Sequence, residues 1–346
     1  MPAVVSWILA IGAALLVLAA LYYWALPWTV QWQLWLLLWL RYRLRVRGLE
    51  NVPKTGPVLM APNHMGWFDG FFLAATSPRS GRALVNAGFI DRPILRHVAR
   101  RAGLIPVYYG GPRGKRAMIQ ACRDTLDKGE AIGVFPEGQI SRNGLTGPFQ
   151  RGLEVILSGR EHIPVVPVYL DNVWGSTLSF SGGRFFKKWP KGLRRTINIY
   201  YGPPVKPPVT AFSVRQGVLE AGVRAIESAG LTQRQVDTID LSLPHYRHPD
   251  LGLLTGSTAD YNGADVKHLG HKPGTVGVPL PGVAIRAVDA SGTALGQDEE
   301  GALQALVPGR ANWTDLGERG LIDRDGFVTL VGRDGADEAV SKALAD

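Results

Sequence analysis

The sequence predicts an α/β protein: a mostly parallel sheet flanked by helices, behind an N-terminal membrane helix or helical hairpin and ahead of a small β-rich C-terminal part. Three observations carry this. From Val58 onward, short apolar β-branched runs alternate with helix-like stretches, the order expected of parallel strands joined by helices. The first forty residues contain no charged side chain, which suits a bilayer and not a soluble core. Beyond about residue 255, short strands and Gly-bearing turns such as VAIRAVDASGTAL and DRDGFVTLVGR take over.

Residues 1–40 read as a membrane anchor. AVVSWILAIGAALLVLAALYYWAL is long enough to cross a bilayer core of about 30 Å, and Tyr22, Tyr23, Trp24 and Trp28 cluster at its far end, where amphipathic rings suit the interface. A signal peptide would place basic residues before the apolar run and would be shorter. After Pro27 the run WTVQWQLWLLLWL is broken by Gln31 and Gln33. It fits either the returning arm of a hairpin or a helix lying on the headgroups. Arg41, Arg43, Arg45 and Arg47 follow at alternating positions. They place this end on the cytoplasmic side of the cell (inner) membrane, and they equally form one solvated strand face.

Residues 41–230 form the expected principal domain. PVLMA, RALVNAG, AIGVF, IPVVPVYL and TINIYYG read as its strands. DRPILRHVARRAG reads as a helix capped by Asp91, with Pro93 in its first turn and a stop at Gly103. RAMIQACRDTLDKG sets Met118, Cys122, Thr125 and Leu126 on one face and ends at Gly129. Residues 231–254 read as a Pro- and His-bearing linker, and 255–346 as a separate small unit.

Charge follows the same division. Residues 1–230 hold 28 Lys/Arg against 12 Asp/Glu, and residues 231–346 hold 10 against 17. A basic first part predicts an anionic partner. Its apolar content and its lack of any RNA- or DNA-binding signature favour a lipid surface over nucleic acid. The same reading covers Arg184, Lys187, Lys188, Lys191, Arg194 and Arg195, interleaved with Phe185, Phe186 and Trp189, as a membrane-contacting stretch. One cysteine, Cys122, excludes an intrachain disulfide framework. His268 and His271 lack a carboxylate partner in the pattern, and no metal is expected.

Chemistry gathers in PNHMGWFDGFFLAA (62–75). Residues five apart are about 140° apart around a helix, so His64 and Asp69 meet only if His64 lies in the turn leaving a strand and Asp69 in the first turn of the next helix. A carboxylate on Nδ1 then fixes the imidazole tautomer and frees Nε2 as a general base. With no nucleophile elbow in the sequence, the natural partner of such a base is a substrate hydroxyl attacking an acyl carbonyl; the same spacing also suits a histidine in a turn and an aspartate capping a helix. In VFPEGQISR (134–142), Glu137 and Gly138 set a carboxylate and backbone N–H groups at the sheet rim, and Arg142 supplies a fork suited to phosphate. GLIPVYYGGPRGKR (103–116) places Gly110, Gly111 and Gly114 among Arg113, Lys115 and Arg116 just before a helix start, a second place for an anion. It lacks the nucleotide P-loop pattern.

In that order, NHMGWFD, GLIPV, FPEG and IPVVPV resemble the motifs of glycerolipid acyltransferases of the lysophosphatidic acid acyltransferase type, over roughly residues 40–225. The resemblance implies that His64 is the general base and Asp69 its orienting partner. It implies that Glu137 with Gly138 is part of the acceptor site and that Pro167 and its neighbours shape an acyl pocket; Asn63 and Arg142 are counted with them as expected substrate-binding residues. It also implies a lysophospholipid acceptor, an acyl-CoA or acyl-acyl carrier protein donor, and no cofactor. Many members carry Thr-Arg directly after FPEG, whereas here Gln139, Ile140 and Ser141 precede Arg142.

A narrower resemblance follows from FPEGQISR, PFQRGLE, VYLDNVWGSTLSFSGGRFF and STADYNGAD. These are similar to bifunctional proteins that fuse such an acyltransferase, acting on lysophosphatidylethanolamine, to an acyl-acyl carrier protein synthetase. Residues 255–346 resemble part of the synthetase alone. They show no ATP-phosphate loop, and Leu316-Gly317-Glu318 stands where Thr-Gly-Asp is expected. This part is expected to be inactive.

Overall fold

Seven strands make the first sheet among the described residues. A computed structural model of the chain describes residues 2–108, 111–183, 194–263 and 267–333. The strands are β1 (Tyr42–Arg47), β2 (Val58–Pro62), β3 (Gly81–Asn86), β4 (Leu104–Val107), β5 (Ala131–Gly133), β6 (Val165–Asp171) and β7 (Arg195–Tyr201), in the spatial order β1-β7-β6-β2-β5-β3-β4. From β6 to β4 neighbouring strands are parallel; β7 runs antiparallel to β6, and β1 runs with β7. The carboxyl ends of β2, β5, β6, β3 and β4 therefore share one rim with the starts of β1 and β7.

The apolar runs are continuous because both faces are covered. Along β6, Val166, Val168 and Leu170 face a layer with Met60, Phe72 and Leu38. Val165 and Tyr169 face the opposite layer with Leu59, Ile132 and Cys122. Helix α2 (Asp69–Thr76) supplies Phe72 and Leu73 to the first layer. Helices α4 (Gly111–Asp127), α5 (Gly152–Leu157) and α6 (Ala211–Ser228) cover the second, and α3 (Pro93–Arg101) lies between β3 and β4 in the chain. Pro167 belongs to the α6 side: a Cβ on Gly217 would stand 3.2 Å from its Cγ. Pro167, to which the resemblance gave an acyl-pocket role, thus faces away from α2.

The N-terminal helix α1 (Pro2–Arg41) has 40 residues and passes through Pro27 without a turn, making a rod of about 60 Å. The hairpin alternative is overturned. No Gly, Asn or Asp accompanies Pro27, and apolar residues continue the helix on both sides. Its two halves differ. The side chains from Val4 to Tyr22 are almost all exposed. Past that point the helix is docked: Tyr23 stacks on His97 of α3 at 5.5 Å, Gln31 Nε2 donates to the Ser77 carbonyl (2.5 Å), and Leu38 is 1% exposed in the first core layer. Helix α1 is long and apolar enough to cross a membrane, and β1 begins at the next residue, Tyr42.

Asp91 is not the cap of α3. Arg92 holds that position without a side-chain hydrogen bond, and the Asp91 carboxylate pairs with Arg96 instead. A charge-assisted bond one turn along outcompetes a single backbone donor. Pro93 does open the helix. Arg43, Arg45 and Arg47 are exposed along one face of β1.

After α6 the chain becomes β-rich. Strands β8 (Tyr246–His248) and β9 (Gly252–Gly256) form an antiparallel sheet with β12 (Val278–Pro279). Strands β10 (Tyr261–Asn262) and β11 (Lys267–His268) pair with each other. Strands β13 (Ala284–Val288), β14 (Gly301–Leu306), β15 (Thr314–Ile322) and β16 (Val328–Arg333) make a four-stranded antiparallel sheet. Strand β8 falls inside the stretch expected to be linker, and β9 begins in it. The remainder of that stretch is pinned as well: Arg234 forks onto Asp171 at 2.7–2.8 Å, and Asp237 accepts from Trp174 Nε1 (2.8 Å). The 231–254 linker is thus corrected to an attached segment. It fails as a linker because its polar residues bind the loops leaving β6.

Candidate active site

The site begins where β2 ends. Asn63 is fully buried: its Oδ1 accepts from Leu170 N–H (2.7 Å) and its Nδ2 donates to Leu170 O (3.4 Å). Both ends of its amide are thereby spent on β6. The substrate contact implied for Asn63 is corrected to a clamp between two strands, one residue before the histidine.

His64 is fixed through its backbone and its ring. Its N–H donates to Glu137 Oε1 (2.8 Å), and its carbonyl accepts from Ser141 N–H (2.8 Å). The ring stacks on Phe135 with centroids 4.2 Å apart. Across the turn, Nδ1 lies 3.0 Å from Asp69 Oδ2. Asp69 is the first residue of α2 and is fully buried. The same Oδ2 accepts from the N–H groups of Met65 (2.5 Å) and Gly66 (2.8 Å), so three donors hold one oxygen. The turn between them is closed from outside: Trp67 N–H donates to Leu178 O (3.0 Å), and a Cβ on Gly66 would stand 2.8 Å from Val173 Cγ1. A carboxylate partner makes Nδ1 the protonated nitrogen. Nε2 has no protein partner among the described residues, and the side chain is 19% exposed.

Glu137 lies beneath this turn and is 3% exposed. Its Oε1 holds His64 N–H and its Oε2 accepts from Gly147 N–H (2.9 Å). Burial pushes its carboxyl up to about 7, against the pull of those two donors, of His64 and of Arg215. Arg215 is itself buried, with Nε on Gly147 O (3.1 Å) and Nη2 on Thr146 O (3.1 Å), and burial brings it down to about 10. Gly138 does not offer a free N–H, because that group donates to Phe135 O (3.1 Å). Glu137, expected in the acceptor site, here holds the histidine turn through both its oxygens. Gly138 is exposed and closes the FPEG turn onto Phe135.

Arg142 is brought to the same rim, one residue beyond Ser141. Its Cζ sits 3.3 Å from the centroid of Phe180 and 4.8 Å from that of Tyr261. Arg113, Lys115 and Arg116 do not precede a helix; they lie in the first turns of α4 and are exposed. Helix α4 follows β4, which lies three strands from β2 in the sheet, a separation of about 14 Å between the strands. Gly110 and residues 184–193, which include Arg184, Lys187, Lys188 and Lys191, lie outside the described residues. Arg195 donates to Asn172 O (2.6 Å) and Trp174 O (2.6 Å) and so braces the loop after β6. His271 does have a carboxylate neighbour, Asp260, at 3.3 Å.

Sequence reasoning missed Asn63 as a clamp, Ser141 and Gly147 as holders of the turn, and Tyr261 altogether. Their partners lie on strands or loops distant in sequence, and no local pattern marks them.

Residues 43–171, which contain the whole turn from β2 and the FPEG loop, match a family model described as Acyltransferase. Among curated proteins, the chain is 28% identical over 130 residues to "1-acyl-sn-glycerol-3-phosphate acyltransferase BAT2, chloroplastic" of Brassica napus, covering 37% of each chain. It is 28% identical over 143 residues to the 1-acyl-sn-glycerol-3-phosphate acyltransferase of Borreliella burgdorferi, covering 41% of this chain and 57% of that one. The match thus spans only 37% and 57% of the length of these two relatives. Among solved structures, the 1-acyl-sn-glycerophosphate (LPA) acyltransferase PlsC from Thermotoga maritima aligns at 21% identity with a TM-score of 0.45, over 57% of this chain and 76% of that one.

Proposed function

We propose that the protein is a membrane-anchored acyltransferase that moves a fatty acyl group from a thioester donor, acyl-CoA or acyl-acyl carrier protein, to a free glycerol hydroxyl of a lysophospholipid. The observation that carries this is the 3.0 Å contact between His64 Nδ1 and Asp69 Oδ2 at the sheet rim, with Nε2 left to a substrate. In this reading Nε2 takes the hydroxyl proton as the oxygen attacks the thioester carbonyl. Asp69 stabilises the imidazolium that forms. The tetrahedral intermediate then expels the thiolate, which receives the proton from His64. Two bound reactants held in this geometry contribute about 7–11 kcal/mol of barrier reduction, so a modest base suffices.

The names of the relatives favour 1-acyl-sn-glycerol 3-phosphate as acceptor, a phosphate monoester matched by Arg142 at the same rim. A lysophosphatidylethanolamine acceptor is the second reading, favoured by the motif resemblance around FPEGQISR and by the β-rich C-terminal unit. In this proposal α1 spans the inner membrane, and Arg41, Arg43, Arg45 and Arg47 keep the sheet on the cytoplasmic side. The unit from β8 onward is a synthetase-like segment without adenylating activity.

The test offers detergent-solubilised protein a panel of lysophospholipids with labelled acyl-CoA and acyl-acyl carrier protein, with products identified by mass spectrometry. Transfer to lysophosphatidate above the other acceptors is expected. His64→Ala should lower the rate by about 10²–10⁴-fold and leave membrane association intact. Full activity of purified His64→Ala would refute the assignment.

A further inference from the structure

The loop from β5 to α5 is shared between the two parts of the molecule. Leu145 belongs to the apolar core of the C-terminal unit, with Leu254, Val278 and Leu280. Asn143 Nδ2 donates to Thr258 Oγ1 (3.1 Å), and the Thr238 hydroxyl donates to the Asn143 carbonyl. Arg142 sits in this loop. One of its two aromatic neighbours, Phe180, follows β6; the other, Tyr261, begins β10.

The surroundings of Arg142 are unusual for a cation. Its Nε is buried without a hydrogen-bond partner among the described residues. Burial lowers its pKa, and the neighbour acting the other way is the Tyr261 phenol, not a carboxylate. The Arg142 charge in turn helps to lower the pKa of His268 on β11, after burial. An aromatic face holds a flat guanidinium through its quadrupole and leaves the in-plane N–H groups available. A carboxylate would orient the group equally well but would cancel its attraction for an anion.

We propose that the C-terminal β-unit forms a wall of the acceptor site, in which Tyr261, together with Phe180, holds the Arg142 guanidinium so that its N–H edge meets the phosphate of a lysophospholipid. The inference rests on the acyltransferase reading above. Tyr261 is a positioning residue that acts through Arg142. Because Ser141 N–H is bonded to the His64 carbonyl (2.8 Å), the distance between the phosphate anchor and the general base is set by the same loop. The β-unit thereby helps to place the acceptor hydroxyl.

Steady-state kinetics of the full chain in mixed micelles, with acyl-CoA and lysophosphatidate varied in turn, test this. Tyr261→Leu should raise the acceptor KM about 3- to 30-fold while kcat and the donor KM stay within about twofold. Tyr261→Phe should behave as wild type. Combined with Arg142→Ala, Tyr261→Leu should add no further loss. Tyr261 is 39% exposed, and thermal melts check that the variants fold. Tyr261→Glu, which sets a carboxylate beside the guanidinium, is the second probe and should raise the acceptor KM by at least as much. An unchanged acceptor KM in Tyr261→Leu and Tyr261→Glu, an equal rise in the donor KM, or additivity with Arg142→Ala would overturn the wall. His64-dependent activity in wild type with such a result removes the wall alone. Absence of transfer to any lysophospholipid by wild type removes the acyltransferase reading and the wall with it.

Discussion

Glu137 stands where the sequence places a substrate contact, yet both its oxygens are occupied by backbone N–H groups of the histidine turn and of Gly147. Its carboxyl is pushed from an ordinary 4.5 up to about 7 by burial. The folded chain therefore binds more protons than the unfolded one between those values, and this group's contribution to stability is full below about 4.5 and lost as pH rises to about 7. Glu137→Gln removes the titration. The difference in thermal midpoint between wild type and Glu137→Gln should fall across that window and level off above it. A difference independent of pH would contradict the burial argument. The His64–Asp69 pair, by contrast, was readable from sequence, because its geometry depends only on a five-residue turn between a strand and a helix. Glu137, Asn63 and Tyr261 act on partners far along the chain, and spacing says nothing about those.

Among the elements, β2 and β6 matter most, because their paired carboxyl ends carry the histidine turn and the loop that closes it. Continuous apolar runs made these strands legible, since a strand covered on both faces leaves no alternation to confuse with a helix. Their registration at the rim was not legible: it depends on the Asn63 amide bridging to Leu170. Asn63→Ala would leave the buried Leu170 N–H unpaired, at a cost of about 1–3 kcal/mol. Chemical denaturation should show that loss. Activity should fall further than stability does, because the turn one residue later loses its seat. A variant with unaltered stability and rate would deny Asn63 the clamp role. The caps of α3 show the reverse error. Asp91 fits the capping pattern, but a basic residue one turn on competes for the same carboxylate.

For the molecule as a whole, the division into anchor, sheet domain and β-unit follows composition, whereas the junctions do not. The stretch expected to be linker is tied to Asp171 and Trp174, and the second half of the apolar helix is docked on the sheet domain through Tyr23, Gln31 and Leu38. Deleting residues 2–22, which are almost entirely exposed, should leave a cooperatively melting protein. Extending the deletion to residue 41 removes Leu38 from the first core layer; losing one such side chain costs about 2–5 kcal/mol, and the stacking on His97 goes with it. Thermal melts of the two truncations should therefore differ sharply. Equal melting of both would show that the docked half contributes nothing.

Helix α1 ends at Arg41 and β1 starts at Tyr42, on the rim that also carries His64. No slack tether separates the lipid-seeking rod from the edge that carries His64. With the rod seated in a bilayer, the depth and tilt of the imidazole relative to the headgroups are set rigidly, as a plane's blade is set in its block. A lysolipid would then be met where it already lies, in one leaflet, without first being drawn into solution.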